Sequence, residues 1–146
     1  MKKTLLAVLG LIVTVVLASA FSNSPSEARI GYQAPNFTVT NGDTTLSLQD
    51  LRGKYVKLTF WSSTNAESRI ALQQTENDDD VVSIAVNLDP SEGVFGEICK
   101  LDGLRSETQF HVSHASSDIL KAWQQGEELS TFVIDPQGII VAQSKY

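Results

Sequence analysis

Two runs constrain the fold most. Tyr55 to Trp61 and Val81 to Leu88 are β-branched, aromatic or apolar almost throughout, as in strands buried on both faces of a sheet. Between them, Thr64 followed three residues later by Glu67 forms a capping box, in which each side chain satisfies an otherwise orphan backbone N–H. This predicts a helix running to about Glu76. A second helix is predicted after Pro90, from Ser91 to about Leu101, then a short strand at Gln109 to Val112. A third helix spans Ser117 to Gln124, with Ile119, Leu120 and Trp123 at helical spacing. The strands Thr131 to Ile134 and Ile139 to Ala142 flank Asp135-Pro136-Gln137-Gly138, a turn in which proline presets one torsion and glycine accepts a positive one. Upstream, Phe37 and Val39, then Leu46 and Leu48, alternate with polar residues across Asn41-Gly42-Asp43, an N-terminal hairpin. Gln49 to Lys54 reads as a helical turn closed by Gly53. The class is α/β: a mixed central sheet flanked by helices on both faces. No repeat or low-complexity tract interrupts it.

The 146 residues suit one domain. Met1-Lys2-Lys3, an apolar run from Leu5 to Leu17 and the small-residue site Ala18-Ser19-Ala20 are read as a cleavable signal peptide over residues 1–20. The apolar run is shorter than the roughly 20 residues of a spanning helix. An uncleaved anchor is the alternative. A second small-residue site permits cleavage after Ala28. Residues 21–30, rich in Ser, Asn and Pro in their first part, are expected as a flexible lead-in, with the domain over 31–146. The reading is a periplasmic or secreted protein. Cleavage after Ala20 takes the net charge from −6 to −8. That acidity argues against nucleic acid and anionic membrane surfaces, which attract basic patches.

One cysteine, Cys99, excludes an intramolecular disulfide, a CxxC dithiol and a four-cysteine zinc site. It falls late in the second predicted helix, away from the helix N-terminus that lowers a thiol pKa, and reads as a small buried hydrophobe. His111 and His114 are two potential ligands, too few for a structural zinc site, with Asp118 or Glu107 as conjectural thirds. They are assigned to an edge strand or the surface. Asp78, Asp79 and Asp80 lack the alternating pattern of a calcium loop and read as a solvated turn. Ser62, Ser63 and Thr64 precede a helix N-terminus that is capped rather than anion-binding, since Glu67 repels an anion. Lys57 requires a strand face open to the surface. No metal or cofactor is implied.

The segments Ala34-Pro35-Asn36-Phe37-Thr38, Leu48 to Lys54 and Lys57-Leu58-Thr59-Phe60-Trp61, together with the closing run Ser130 to Gly138, resemble exported thioredoxin-fold proteins of the TlpA/ResA-like group. These lie within the thioredoxin and alkyl hydroperoxide reductase superfamily. The resemblance covers about residues 30 to 143 and implies a thioredoxin-like fold with thiol-disulfide exchange at a C-x-x-C motif opening the first long helix. Aligned on Phe60 and Trp61, those cysteines fall on Asn65 and Ser68, with Ala66 and Glu67 between them. Both thiols are absent. The family's proline before the closing strand falls on Leu129 or Ser130, and Thr59 stands where thioredoxins proper carry a buried acid.

Asn65 cannot become a thiolate-like nucleophile, and Ser68 has no base near it in sequence. The expectation is therefore a monomeric or weakly associating exported protein with a degenerate redox centre. It would bind a polypeptide or envelope partner near Trp61, Thr64, Asn65, Ser68 and Leu129, with Trp61 packing under the loop. The enzyme-class alternative is a one-cysteine redox protein or peroxidase using Cys99. A third reading is an accessory subunit whose partner carries the dithiol.

Overall fold

The computed structural model describes residues 27–74, 79–113 and 117–146. A hairpin comes first: β1 (Thr38–Asn41) pairs antiparallel with β2 (Thr44–Ser47), with Val39 opposite Leu46. Gly42, at φ +57°, supplies the left-handed torsion of its turn. A 3-10 turn at Leu48–Leu51 follows.

The main sheet has five strands: β3 (Tyr55–Trp61), β4 (Val81–Asn87), β5 (Gln109–His111), β6 (Ser130–Ile134) and β7 (Ile140–Lys145). Their spatial order is β5-β4-β3-β6-β7. The first three are mutually parallel, β6 is antiparallel to β3, and β7 is antiparallel to β6. The helices are α1 (Ala66–Gln73), α2 (Glu92–Leu101) and α3 (Ser117–Ala122). Because successive strand residues point to opposite faces, Phe60 and Trp61 enter different cores. Val56, Leu58, Phe60, Ile84, Val86, Phe132 and Ile134 pack with Phe37, Val39 and Trp123 on one side. There the Trp123 ring lies 5.0 Å from Phe132 and 5.8 Å from Phe60. On the other side Trp61, Ala85 and Leu72 meet Phe95, Ile98 and Cys99 of α2. Both faces are thus covered by helices, and the sheet is mixed, as the strand pattern predicts.

The differences from expectation are local. The capping box does not form. Asn65, not Thr64, is the N-cap: its backbone is extended and its side chain accepts from the Ser68 N–H at 2.8 Å. The Thr64 hydroxyl turns to Ser62 Oγ, 3.1 Å away. Asn is as good a cap as Thr, and choosing it starts the helix one residue later. α1 ends at Gln73 with Gln74 as its C-cap, short of the expected Glu76; residues 75–78 lie outside the described residues. The third helix stops at Ala122 rather than Gln124. Gln124 takes φ +52°, and Gln125 N–H and Gln124 N–H donate to Leu120 and Lys121 carbonyls, a left-handed C-terminal cap of the kind glycine usually makes. The closing strands run longer than predicted, Ser130–Ile134 and Ile140–Lys145, around the expected Asp135–Gly138 turn.

The packed structure also reaches back past residue 31. Ala28 is only 5% exposed within the main core, its N–H donates to the Ala122 carbonyl at 2.7 Å, and its carbonyl accepts Gln124 Nε2 at 3.2 Å. Ala28 thus packs against the end of α3, three residues ahead of the expected domain start at residue 31. Residues 1–26, which include the expected signal peptide over 1–20, lie outside the described residues.

A chain beginning at Arg29 loses two hydrogen bonds and a buried methyl group relative to one beginning at Phe21. Two such bonds and that burial are together worth about 2 kcal/mol. Thermal unfolding of the two chains should show the shorter melting lower by roughly 5 °C or more. Equal midpoints would mean that Ala28 adds nothing to the core.

Candidate functional site

The carboxyl ends of the adjacent parallel strands β3 and β4 place two loops side by side, Ser62 to Asn65 before α1 and Leu88 to Ser91 before α2. In open α/β sheets this end is where ligands bind. Here it is closed by one carboxylate. Asp89 is 2% exposed. Its Oδ1 accepts from Ser62 Oγ (2.7 Å), Ser63 N–H (3.0 Å) and Ser63 Oγ (3.1 Å), and its Oδ2 accepts from Asn87 Nδ2 (2.8 Å). The Asp89 N–H donates back to Asn87 Oδ1 at 3.0 Å. His111 Nε2 lies 2.8 Å from the Asp89 carbonyl, a bond that needs the Nε2–H tautomer. Its ring stacks on Phe95 at 5.5 Å, and Phe95 in turn meets Trp61 at 6.0 Å. Burial opposes the Asp89 charge, but the hydrogen bonds from Asn87, Ser62 and Ser63 outweigh it and hold the carboxyl below its ordinary pKa.

The two positions of the missing dithiol are consumed by this joint. Ser68 is fully buried; its hydroxyl donates to the Asn65 carbonyl at 2.9 Å and accepts the Ser62 N–H at 3.3 Å. The Asn65 amide oxygen is taken by the Ser68 N–H. Both side chains therefore serve the loop and the helix cap, and a serine so bonded, with no base on it, is not an activated nucleophile.

Of the five residues expected to line a binding groove, Trp61, Ser68 and Leu129 are buried, Asn65 is half-buried and Thr64 is exposed. Of these residues only Thr64 and Asn65 reach the surface. Trp61 faces inward because it ends a strand whose alternate residues are covered by α1 and α2. Leu129 is held by its carbonyl, which accepts the Tyr146 N–H at 2.9 Å. At Ser130 the N–H donates to Gln125 Oε1 at 3.0 Å, a bond proline cannot make. Thr59, in place of the buried acid, accepts the Thr131 hydroxyl at 3.0 Å.

Cys99 sits late in α2, partly buried beside Trp61 and Leu72. Burial, with the Asp102 and Asp89 carboxylates adding to it, pushes its thiol up to about 11. On the order of one molecule in ten thousand is then thiolate at neutral pH. Asp102 is itself fixed by a bidentate pair with Arg69, at 2.8 and 2.6 Å, tying the end of α2 to α1. His114 and Asp78 lie outside the described residues. Asn87 and Asp89 were not singled out by sequence reasoning. Their signal was Asn87-Leu88-Asp89-Pro90: an amide and a carboxyl side chain two residues apart at the end of a largely apolar run.

Residues 30–143 match the AhpC/TSA family, and the chain belongs to it. Among solved structures, the thioredoxin domain of a thiol-disulfide oxidoreductase from Bacteroides vulgatus is 25% identical over 81% of this chain and 89% of its own, with a TM-score of 0.70. A thiol:disulfide interchange protein from Bacteroides sp. is 26% identical over 80% and 82%, at 0.67. An exposed lipoprotein thioredoxin from Streptococcus pneumoniae is 26% identical over 75% and 87%, at 0.58. No curated protein matches. The fold is that of the thioredoxin superfamily, as the TlpA/ResA-like resemblance implies.

Asp89→Asn keeps the shape and removes the charge that four donors surround. Unfolding by denaturant should show a loss of about 3 kcal/mol at pH 7. The native carboxyl pKa is depressed, so its stabilisation is present above the ordinary value of 3.8 and lost as pH falls through the native value. The gap between wild type and variant should therefore narrow below pH 3.8. A gap independent of pH would show that the charge is not what holds the loops.

Proposed function

We propose that this protein is an exported, non-catalytic member of its family, in which the redox centre has become a structural joint and the scaffold serves binding. The observation that carries the reading is the commitment of Asn65 and Ser68, in place of two cysteines, to the cap and loop of α1. The protonated, half-buried Cys99 supports it, because a one-cysteine peroxidase needs a thiolate. The partner is a polypeptide of the cell envelope. It docks at the tip where Thr64, Ala66 and Glu67 are exposed beside Asn65.

Export rests on the basic end at Lys2 and Lys3, the apolar run Leu5 to Leu17 and Ala18-Ser19-Ala20. The buried place of Ala28 favours cleavage after Ala20 over cleavage after Ala28.

Reduction of insulin by dithiothreitol, followed as turbidity, tests the central reading. The protein should leave the rate unchanged, and Cys99→Ala should behave identically. Acceleration by the wild type that Cys99→Ala abolishes would establish a redox enzyme and overturn it.

A further inference from the structure

β1 closes on the chain's one Asn-Gly pair, Asn41-Gly42. The other asparagines are followed by Ser, Phe, Ala, Asp or Leu. Before glycine an asparagine is chemically vulnerable, because no side chain shields the next backbone nitrogen from the asparagine's own amide carbon. Here both residues are exposed to water, and at Gly42 no atom lies within 4 Å of where a Cβ would stand.

The same amide joins two parts of the fold. Asn41 Nδ2 donates to the Ser106 carbonyl and to the Gln109 carbonyl, each at 2.9 Å. It thereby clasps the end of β1 to the Ser106–Thr108 turn and to the first residue of β5, an edge strand of the sheet. An amide nitrogen has two hydrogens to give, and here two carbonyls take them; a carboxylate has none.

We infer that Asn41 is a site of deamidation, and that its conversion undoes this clasp. The Gly42 backbone nitrogen attacks Cγ of Asn41 and forms a C–N bond. The side-chain nitrogen leaves as ammonia, taking the proton that the Gly42 nitrogen gives up. Water then opens the five-membered imide, at one carbonyl to give aspartate and at the other to give isoaspartate. No oxidant or reductant takes part. The two hydrogen bonds oppose the first step in the closed hairpin, so it proceeds from states in which the tip has opened locally. Either product carries a carboxylate, ionised at neutral pH because its ordinary pKa is about 4. Neither can give back the two hydrogen bonds. The tip then stays detached from β5, while Val39, buried two residues back, keeps the rest of β1 on the core. The step involves neither Cys99 nor the Asn65–Ser68 joint.

Prolonged incubation of the full chain at mildly alkaline pH, followed by digestion and mass spectrometry, tests the proposal. The mass gain of one amide-to-acid conversion is expected on the peptide carrying Asn41 before any appears at Asn36, Asn65 or Asn87, with ammonia released in step. Freshly made Asn41→Asp should melt lower than wild type by roughly 5 °C, and its 15N spectrum should differ around Ser106 and Gln109. Aged wild type should move toward the same lower midpoint as the converted fraction grows. Conversion at Asn41 no faster than at the other asparagines would overturn the proposal. So would an Asn41→Asp protein that melts with wild type and leaves the Ser106 and Gln109 region unmoved.

Discussion

The arrangement of the loops depends on one buried carboxylate. Asp89 brings the chain leaving β3 and the chain leaving β4 into a single hydrogen-bonded unit, and each of its donors belongs to one of those two strand ends. A charge this far from water is tolerated only when its lone pairs are filled. Filling them fixes Ser62 and Ser63, which in turn present the Ser62 N–H to Ser68 and set where α1 begins. Asn87, still part of β4, anchors the same carboxylate from below, and His111 on the edge strand holds its backbone. The end of the sheet at which such folds ordinarily work is thereby rigid and already satisfied.

That satisfaction accounts for how the loop and the helix start are held together with no cysteine at either position of the family's motif. A thiol at a helix N-terminus draws its reactivity from unpaired N–H groups. At this helix the corresponding N–H is occupied by Asn65 Oδ1, and the second position is a serine bonded on both sides. The remaining sulfur lies near the opposite end of a different helix, where burial and two carboxylates work against ionisation. Neither location offers a dithiol cycle.

Much of this was legible in the sequence. The runs Tyr55 to Trp61 and Val81 to Leu88 marked the central strands because burial on both faces leaves no room for polar alternation. The Asp135–Gly138 turn was legible because proline and glycine act locally. The N-cap was placed one residue early, since Thr64 and Asn65 are both good caps and only tertiary contacts decide between them. Ala28 and Gln124 were misjudged for a related reason. The Gln124 side chain reaches back some hundred residues in sequence to hold Ala28, a contact no local pattern encodes. The Asp89 knot, too, required knowing that β3 and β4 end side by side.

The most direct test of the account is the reactivity of Cys99 toward a thiol reagent, measured in the native protein, in denaturant, and again after exposure to peroxide. The account predicts a thiol nearly silent until the protein unfolds and unaltered by peroxide. A fast native reaction that peroxide blocks reversibly would contradict it, and would return the chain to the redox chemistry of its family.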